Sequence, residues 1–344
     1  MVRITGVDVI RTVAILGVIV IHTHPFEQAG MPFGTTLDAA TLLVQLARFG
    51  VPFFFVISGY FWAGKFTSPA QVVAPSLHIA RRLTSLFVIW SLVYLLPFDI
   101  VDAFDAGPAG PFKLIYWTLV DVASKPLTAL LQGTRGHLWF LMSAVCALLI
   151  AATLIRYGRL RLLIALAVAL YAIGLAGKGY SDSPLGFRTP FNFRDGPFFS
   201  LIFFTTGYLL QRQGRQAWWP RAGLTLALLG AILQCVEEAL LYQHWGTAMG
   251  GDFVIGTYPL GVGMAMIALS NPAALHWQRL AAAGPLVLGI YSLHMAFIEL
   301  LRPVDRALEG NLLWDGGFVL LVFALSYGAA LLLARHHRTR ALVC

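Results

Sequence analysis

The stretch Val7-Asp8-Val9-Ile10-Arg11-Thr12-Val13-Ala14-Ile15-Leu16-Gly17-Val18-Ile19-Val20-Ile21-His22-Thr23-His24 is apolar over the length of a membrane span, yet it holds Asp8, Arg11 and His22. Eleven residues separate Arg11 from His22. At ~100° per residue that is about 1100°, only ~20° past three full turns, so the two side chains share a helix face. Asp8 lies one turn before Arg11. Ionisable groups inside a membrane are expensive and face a protein interior or a water-filled cavity. A face carrying Asp8, Arg11 and His22 therefore predicts a polar pathway. The competing reading has Arg11 snorkelling to one interface and His22 capping the helix at the other. The shared face favours the pathway, and histidine is the side chain suited to proton transfer near neutral pH.

The rest of the chain has the same character. Of its 344 residues 58% are hydrophobic and 12% charged, and mean hydropathy is +0.75. A soluble domain carries about 25% charged residues, so the expectation is an all-α integral membrane protein, one domain over 1–344. The formal charge of +8 lies in short loops and sets topology; it does not predict nucleic-acid binding. Cys146, Cys235 and Cys344 show neither zinc spacing nor a disulfide framework. The first apolar run is too long for a signal-peptide core and reads as a retained span.

Spans need roughly 20 apolar residues. Ten are predicted, at about 7–24, 41–62, 82–98, 137–155, 160–177, 196–212, 221–242, 252–270, 284–302 and 314–335. The segment 111–132 mixes Lys113, Asp121 and Lys125 with Leu, Ile, Tyr and Trp, and reads as an interfacial amphipathic helix; the alternative is an eleventh span. With both termini in the cytoplasm, fifteen of the 24 basic residues fall on that side and Asp8 alone of the 16 acidic ones. Every inner connection then carries a basic residue, as topology requires.

Other polar groups stand out. Arg81 and Arg82 form a pair at the expected cytoplasmic entrance to the third span. They serve either topology or the grip of a phosphorylated ligand by guanidinium forks. In Phe49–Tyr60, Pro52 interrupts a backbone hydrogen bond, while Ser58 and Gly59 offer a small surface for close approach. His137 and Trp139 open the fourth span as an aromatic belt or a sugar-stacking face. Tyr291 and His294 share a face of the ninth span, and Glu299 is expected to pair with Arg302. The loop 178–197, with Arg188 and Arg194, is a connector or a lid.

Several of these runs together resemble the acyltransferase-3 family of integral membrane acyltransferases. They are Val7–Ala14 followed by His22, Val51–Tyr60, Arg81-Arg82, His137–Leu141, Phe204–Leu210 and Ile290–His294. The resemblance spans residues 7 to 294. It implies a bundle of about ten helices with cytoplasmic ends. It also implies transfer of an acyl group, usually acetyl, from cytoplasmic acyl-CoA to a hydroxyl of a cell-envelope or exported glycan. By that resemblance His22 is the catalytic base, Arg11 and Asp8 its partners on the same helix, and Arg81 and Arg82 contacts for the CoA phosphates. Ser58, Trp139, Tyr291, His294 and Glu299 are candidates for substrate or oxyanion contacts. Where some relatives carry a further Arg three residues after the pair, this chain has Ser85. Some relatives continue into a soluble acyl-transferring domain that is not seen here, so the acyl group is expected to pass directly to the acceptor or to another protein.

The expected setting is the bacterial inner membrane. Expected partners are acetyl-CoA or another acyl-CoA as donor substrate, a glycan or lipid-linked saccharide as acceptor, membrane lipids and polysaccharide-assembly proteins. No permanently bound cofactor, metal or nucleic acid is expected. Transfer through a free His22 or through an acyl-histidine both fit. A secondary transporter and a lipid-linked oligosaccharide flippase are the rival readings.

Overall fold

The computed structural model describes residues 3–27, 38–105, 107–247 and 251–343; Cys344 lies outside them. It is 77% helix, with no strand among the described residues. In chain order the helices are α1 (Thr5–Thr23), α2 (Ala39–Ala47), α3 (Gly50–Ala63), α4 (Val73–Val93), α5 (Ile100–Asp105), α6 (Gly110–Ser124), α7 (Pro126–Gln132) and α8 (Trp139–Arg156). They continue as α9 (Leu160–Gly174), α10 (Pro197–Gln213), α11 (Trp219–Trp245), α12 (Thr257–Ser270), α13 (Gln278–Ala281), α14 (Val287–Ala307) and α15 (Leu312–Arg335).

Among the described residues, eight helical stretches are long and apolar enough to cross a membrane. Each of the ten expected spans falls on a helix, but two of these helices are short for a membrane span. α10 has 17 residues and α12 has 14. At 1.5 Å per residue these are about 26 and 21 Å long, against a hydrocarbon core of ~30 Å. The 252–270 stretch starts its helix late, at Thr257, because Asp252 to Gly256 form a turn.

The third span also moves. It was expected from residue 82, yet α4 begins at Val73. His78, Arg81 and Arg82 lower the hydropathy of its first half without breaking the helix, and Pro75 sits in the first turn, where a missing N–H costs nothing. Arg81 and Arg82 therefore lie mid-helix. The expected interfacial helix is likewise two pieces, α6 and α7, bent by 108°. Pro126 explains the break, since it excludes helical backbone at Lys125 (φ −126°, ψ 64°). Phe112 and Trp117 of α6 are 75% and 63% exposed.

Burial sorts the helices into an interior and a ring. Two-thirds of the apolar window is buried in α1 and in the α2–α3 and α13–α14 stretches, against 28% in α4, α9 and α15. α1 sits at the centre and touches α2, α3, α12, α13, α14 and α15. α2 and α3 divide at Arg48 and Phe49. Pro52 has no N–H to give the Arg48 carbonyl, so the helix is interrupted there and Arg48 is placed at the break.

α3 and α10 cross at closest range through Gly59 and Gly207. A Cβ on Gly59 would overlap the backbone carbonyl of Phe204, and one on Gly207 that of Val56. Backbones meet this closely in membrane bundles only through small residues. Gly207→Val should lower stability by about 1–3 kcal/mol or more, read as a fall in the unfolding temperature in detergent. Gly328→Ala in α15, where a Cβ meets nothing within 4 Å, should be neutral or mildly stabilising. Equal effects would contradict this packing.

Candidate functional site

Two cavities open onto α1. One, of about 290 Å³, is lined by His22, Arg48, Arg135, His137, Trp139, Arg194 and Asp252 among others. The second, of about 320 Å³, is lined by Arg11, Ser58, Arg82, Phe140 and Tyr291 among others. Val18 and Val51 line both. Eleven residues of helix rise about 16 Å, so Arg11 and His22 stand toward opposite ends of α1, and Val18 lies between them on the same face. The predicted face exists, but it feeds two chambers that share Val18 and Val51 in their walls.

Three histidines gather beside the first cavity. His22 is exposed to it. The ring of His294 lies 5.3 Å from that of His22, and the ring of His137 lies 5.4 Å from that of His294. His294 is fully buried, and its Nδ1 lies 2.6 Å from the Tyr291 carbonyl. A carbonyl only accepts, so Nδ1 carries the proton and Nε2 keeps a lone pair. That Nε2 has no hydrogen-bond partner, nor has either ring nitrogen of His137. His137 is therefore no member of an interfacial belt; it is 5% exposed and packs against Tyr94 at 4.8 Å. The Tyr291 hydroxyl donates to the His137 carbonyl. The Tyr94 hydroxyl donates to the Ser292 carbonyl (2.7 Å) and accepts from the Ala296 amide (3.2 Å). α4, α14 and the entry to α8 thus hold the imidazoles in place. Among the described residues, no group of three or more His, Cys, Asp or Glu has a geometry that could hold a metal ion.

The charges of this cavity form a second layer. Arg48 Nη1 donates to the Asp252 carbonyl (3.1 Å) and lies 3.8 Å from its carboxylate. Arg194 and Lys178 reach the same carboxylate at 3.3 and 3.1 Å. Lys178 is delivered by a π turn, Leu175–Gly179, that ends α9; such turns recur at functional sites. Burial pushes the Asp252 carboxyl up, but Arg194, Lys178 and Arg48 outweigh it and hold the group down at about 2. The Arg194 guanidinium also lies 4.8 Å over the Trp139 ring. Trp139 is thus at the cavity as expected, with one face covered by a cation.

Several expected partners differ. Glu299 pairs with Arg135 at 3.1 Å, not with Arg302, which turns to Asp99 at 3.3 Å. Glu299 lines neither cavity; it steadies an arginine that does. Ser58 lies with Arg11 and Arg82 in the second chamber, away from His22. Asp8 is buried and faces basic groups, with Arg3 at 2.6 Å and Arg11 at 3.2 Å. Arg82 lines the second cavity; Arg81, its neighbour on α4, does not line it.

Arg48, Lys178 and Asp252 escaped the sequence reading. For Arg48 a signal was present: an arginine inside the apolar run 41–62, as costly there as Arg11 in the first span. Lys178 and Asp252 lie in loops, where charge is ordinary, and nothing local marked them.

Residues 4–334 match the family model described as an acyltransferase domain, Acyl_transf_3. An amino-acid racemase of Enterococcus faecalis is 25% identical over 359 residues, covering 98% of this chain and 47% of that protein. A serine/alanine racemase of Enterococcus gallinarum is 26% identical over 352 residues, covering 96% and 46%. The chain spans about half the length of these curated relatives. No solved structure matches it.

A double-mutant cycle checks the pairing of Glu299. Coupling between Glu299→Gln and Arg135→Gln should be about 1 kcal/mol or more, discounted because the arginine is a third exposed. Coupling between Glu299→Gln and Arg302→Gln should be clearly smaller. The reverse order in unfolding measurements would contradict this arrangement.

Proposed function

Because the chain belongs to the acyltransferase-3 family, and is by that membership and its apolar helices a multi-pass membrane acyltransferase, we propose that it moves an acyl group, acetyl in the first instance, from cytoplasmic acyl-CoA to a hydroxyl of a cell-envelope or exported polysaccharide. The carrying observation is that Arg11 and His22, on one face of α1, open into two cavities that share Val18 and Val51 in their walls. In this reading both termini lie in the cytoplasm of a bacterium, the helices cross its inner membrane, and polysaccharide-assembly proteins deliver the acceptor.

The donor enters the chamber of Arg11 and Arg82. Guanidinium groups bind phosphate through paired hydrogen bonds, so they anchor the CoA phosphates while the pantetheine arm extends past Ser58 toward Val18 and Val51. The acceptor enters the chamber of His22. The His22 imidazole takes the hydroxyl proton as the hydroxyl oxygen attacks the thioester carbon. The C–S bond then breaks, and the CoA sulfur leaves with the proton held by His22. The His294 ring, 5.3 Å away between ring centres, packs beside the His22 ring. Direct transfer needs no acyl-enzyme, and the acceptor alcohol is consumed as its ester forms.

A second reading, transport of a small solute, is supported by two cavities that share Val18 and Val51, an arrangement suited to alternating access. It requires solute flux without acyl-CoA. Purified protein in liposomes separates the two. Acyl-CoA consumption coupled to acceptor esterification supports the enzyme, and solute uptake with no CoA release supports the carrier.

His22→Ala should lower acyl transfer by about 10²-fold or more while membrane insertion stays intact. Arg82→Gln should raise the KM for acyl-CoA more than Arg81→Gln does, since only Arg82 lines the chamber. Near-normal transfer by His22→Ala, or a larger KM effect at Arg81, would overturn the assignment.

A further inference from the structure

The His22 cavity carries more positive charge than an ordinary hydroxyl acceptor calls for. Arg48, Arg135 and Arg194 come from three different segments and converge on it, while Asp252 is the one carboxylate among its lining residues. Asp252 is shared by Arg48, Arg194 and Lys178, at 3.8, 3.3 and 3.1 Å. Glu299 answers Arg135 alone, and Arg48 also stands in the field of Glu238. Asp195 lies 3.8 Å from Arg194 Nε, but its carboxylate accepts a hydrogen bond from Gln132 (2.6 Å). Burial also pushes the Asp195 carboxyl up, toward its neutral form. Removing cations from water costs several kcal/mol each unless they are paired and hydrogen-bonded. With Arg48 also facing Glu238, Arg194 and Lys178 still share the Asp252 carboxylate and leave charge for a visiting anion to satisfy. His137 adds an independent sign of a ligand: it lines the cavity, is 5% exposed, and neither ring nitrogen has a partner.

We infer that this cavity takes an anionic saccharide unit, its oxyanion held by Arg194, Arg48 and Arg135 so that a neighbouring hydroxyl faces His22. The inference rests on the acyl-transfer reading above and narrows its acceptor. The cavity's volume, about 290 Å³, sits at the bottom of the range for ligand pockets and suits one sugar ring. A planar guanidinium fork matches a carboxylate or a phosphate through two parallel hydrogen bonds. A hexuronate and a sugar phosphate share this chemistry. Trp139, one face of which lies under Arg194, lines the same space.

The test is titration calorimetry on the full chain in detergent, with three probes: a hexuronate-containing disaccharide, its carboxyl-reduced neutral twin, and the corresponding hexose phosphate. The hexuronate or the phosphate should bind at least about tenfold more tightly than the neutral twin, and the tighter of the two identifies the oxyanion. Arg194→Gln should shrink that ratio to about threefold or less, and Arg194→Lys should retain part of it, since charge remains and the fork is lost. Equal binding of all three probes by the unmodified protein, or binding of none, would overturn the inference without any variant having to fold. Acetyl-CoA-dependent esterification is then measured on the same probes. Tight anion binding with no esterification refutes the acyl-transfer reading and leaves the anion pocket standing. Equal esterification of the neutral twin and the acid refutes the anion preference and leaves acyl transfer standing.

Discussion

A charge carried into hydrocarbon must be either paired or wet, and the arrangement of this bundle follows from that constraint. Asp8 meets it for Arg3 and Arg11 at one end of α1. Asp252 meets it for Arg48, Lys178 and Arg194 at the other. Between these two nodes α1 presents Val18, an apolar side chain shared by both cavities. The polar groups beside α1 are gathered toward its two ends and held there by carboxylates. The surrounding helices α4, α9 and α15 leave most of their apolar surface outside, where lipid covers it at no cost.

The constraint also explains why the first span was so readable. Hydrophobic length and the 3.6-residue period are local properties, and they placed Arg11 and His22 on one face before any tertiary contact was known. The ten expected stretches fell on helices for the same reason. Legibility ended where partners lie far apart in the chain. Glu299 had Arg302 one turn away, yet it chose Arg135, 164 residues distant, because α14 packs beside the entry to α8. Asp252 and Lys178 sit in loops, where charge is unremarkable, and only the π turn after α9 brings them together. The start of α4 was misjudged because hydropathy measures apolarity and not helicity. Arg81 and Arg82 depress the first and leave the second intact.

The histidine cluster shows a further kind of information that sequence did not carry. His137 looked like an interfacial residue beside Trp139, and each reading of it taken alone was bland. Its meaning comes from Tyr94, Tyr291 and His294, contributed by two other helices. The Tyr291 carbonyl fixes the tautomer of His294, and that tautomer leaves Nε2 with a lone pair. Backbone geometry in α14 thus fixes a ring that packs against His22 of α1, through one hydrogen bond and one ring contact.

In the proposed reaction, the two chambers separate a charged, phosphate-bearing donor from its acceptor and bring them together only across Val18 and Val51. The most direct measurement of that claim is a structure of the protein with a non-hydrolysable thioether analogue of acetyl-CoA. The account predicts CoA phosphates at Arg82 and Arg11, and a pantetheine arm passing between Val18, Val51 and Tyr291 so that the acyl carbon lies beside His22. An analogue that binds wholly outside the Arg11 chamber, or whose arm turns away from Val18 and leaves His22 untouched, would contradict it.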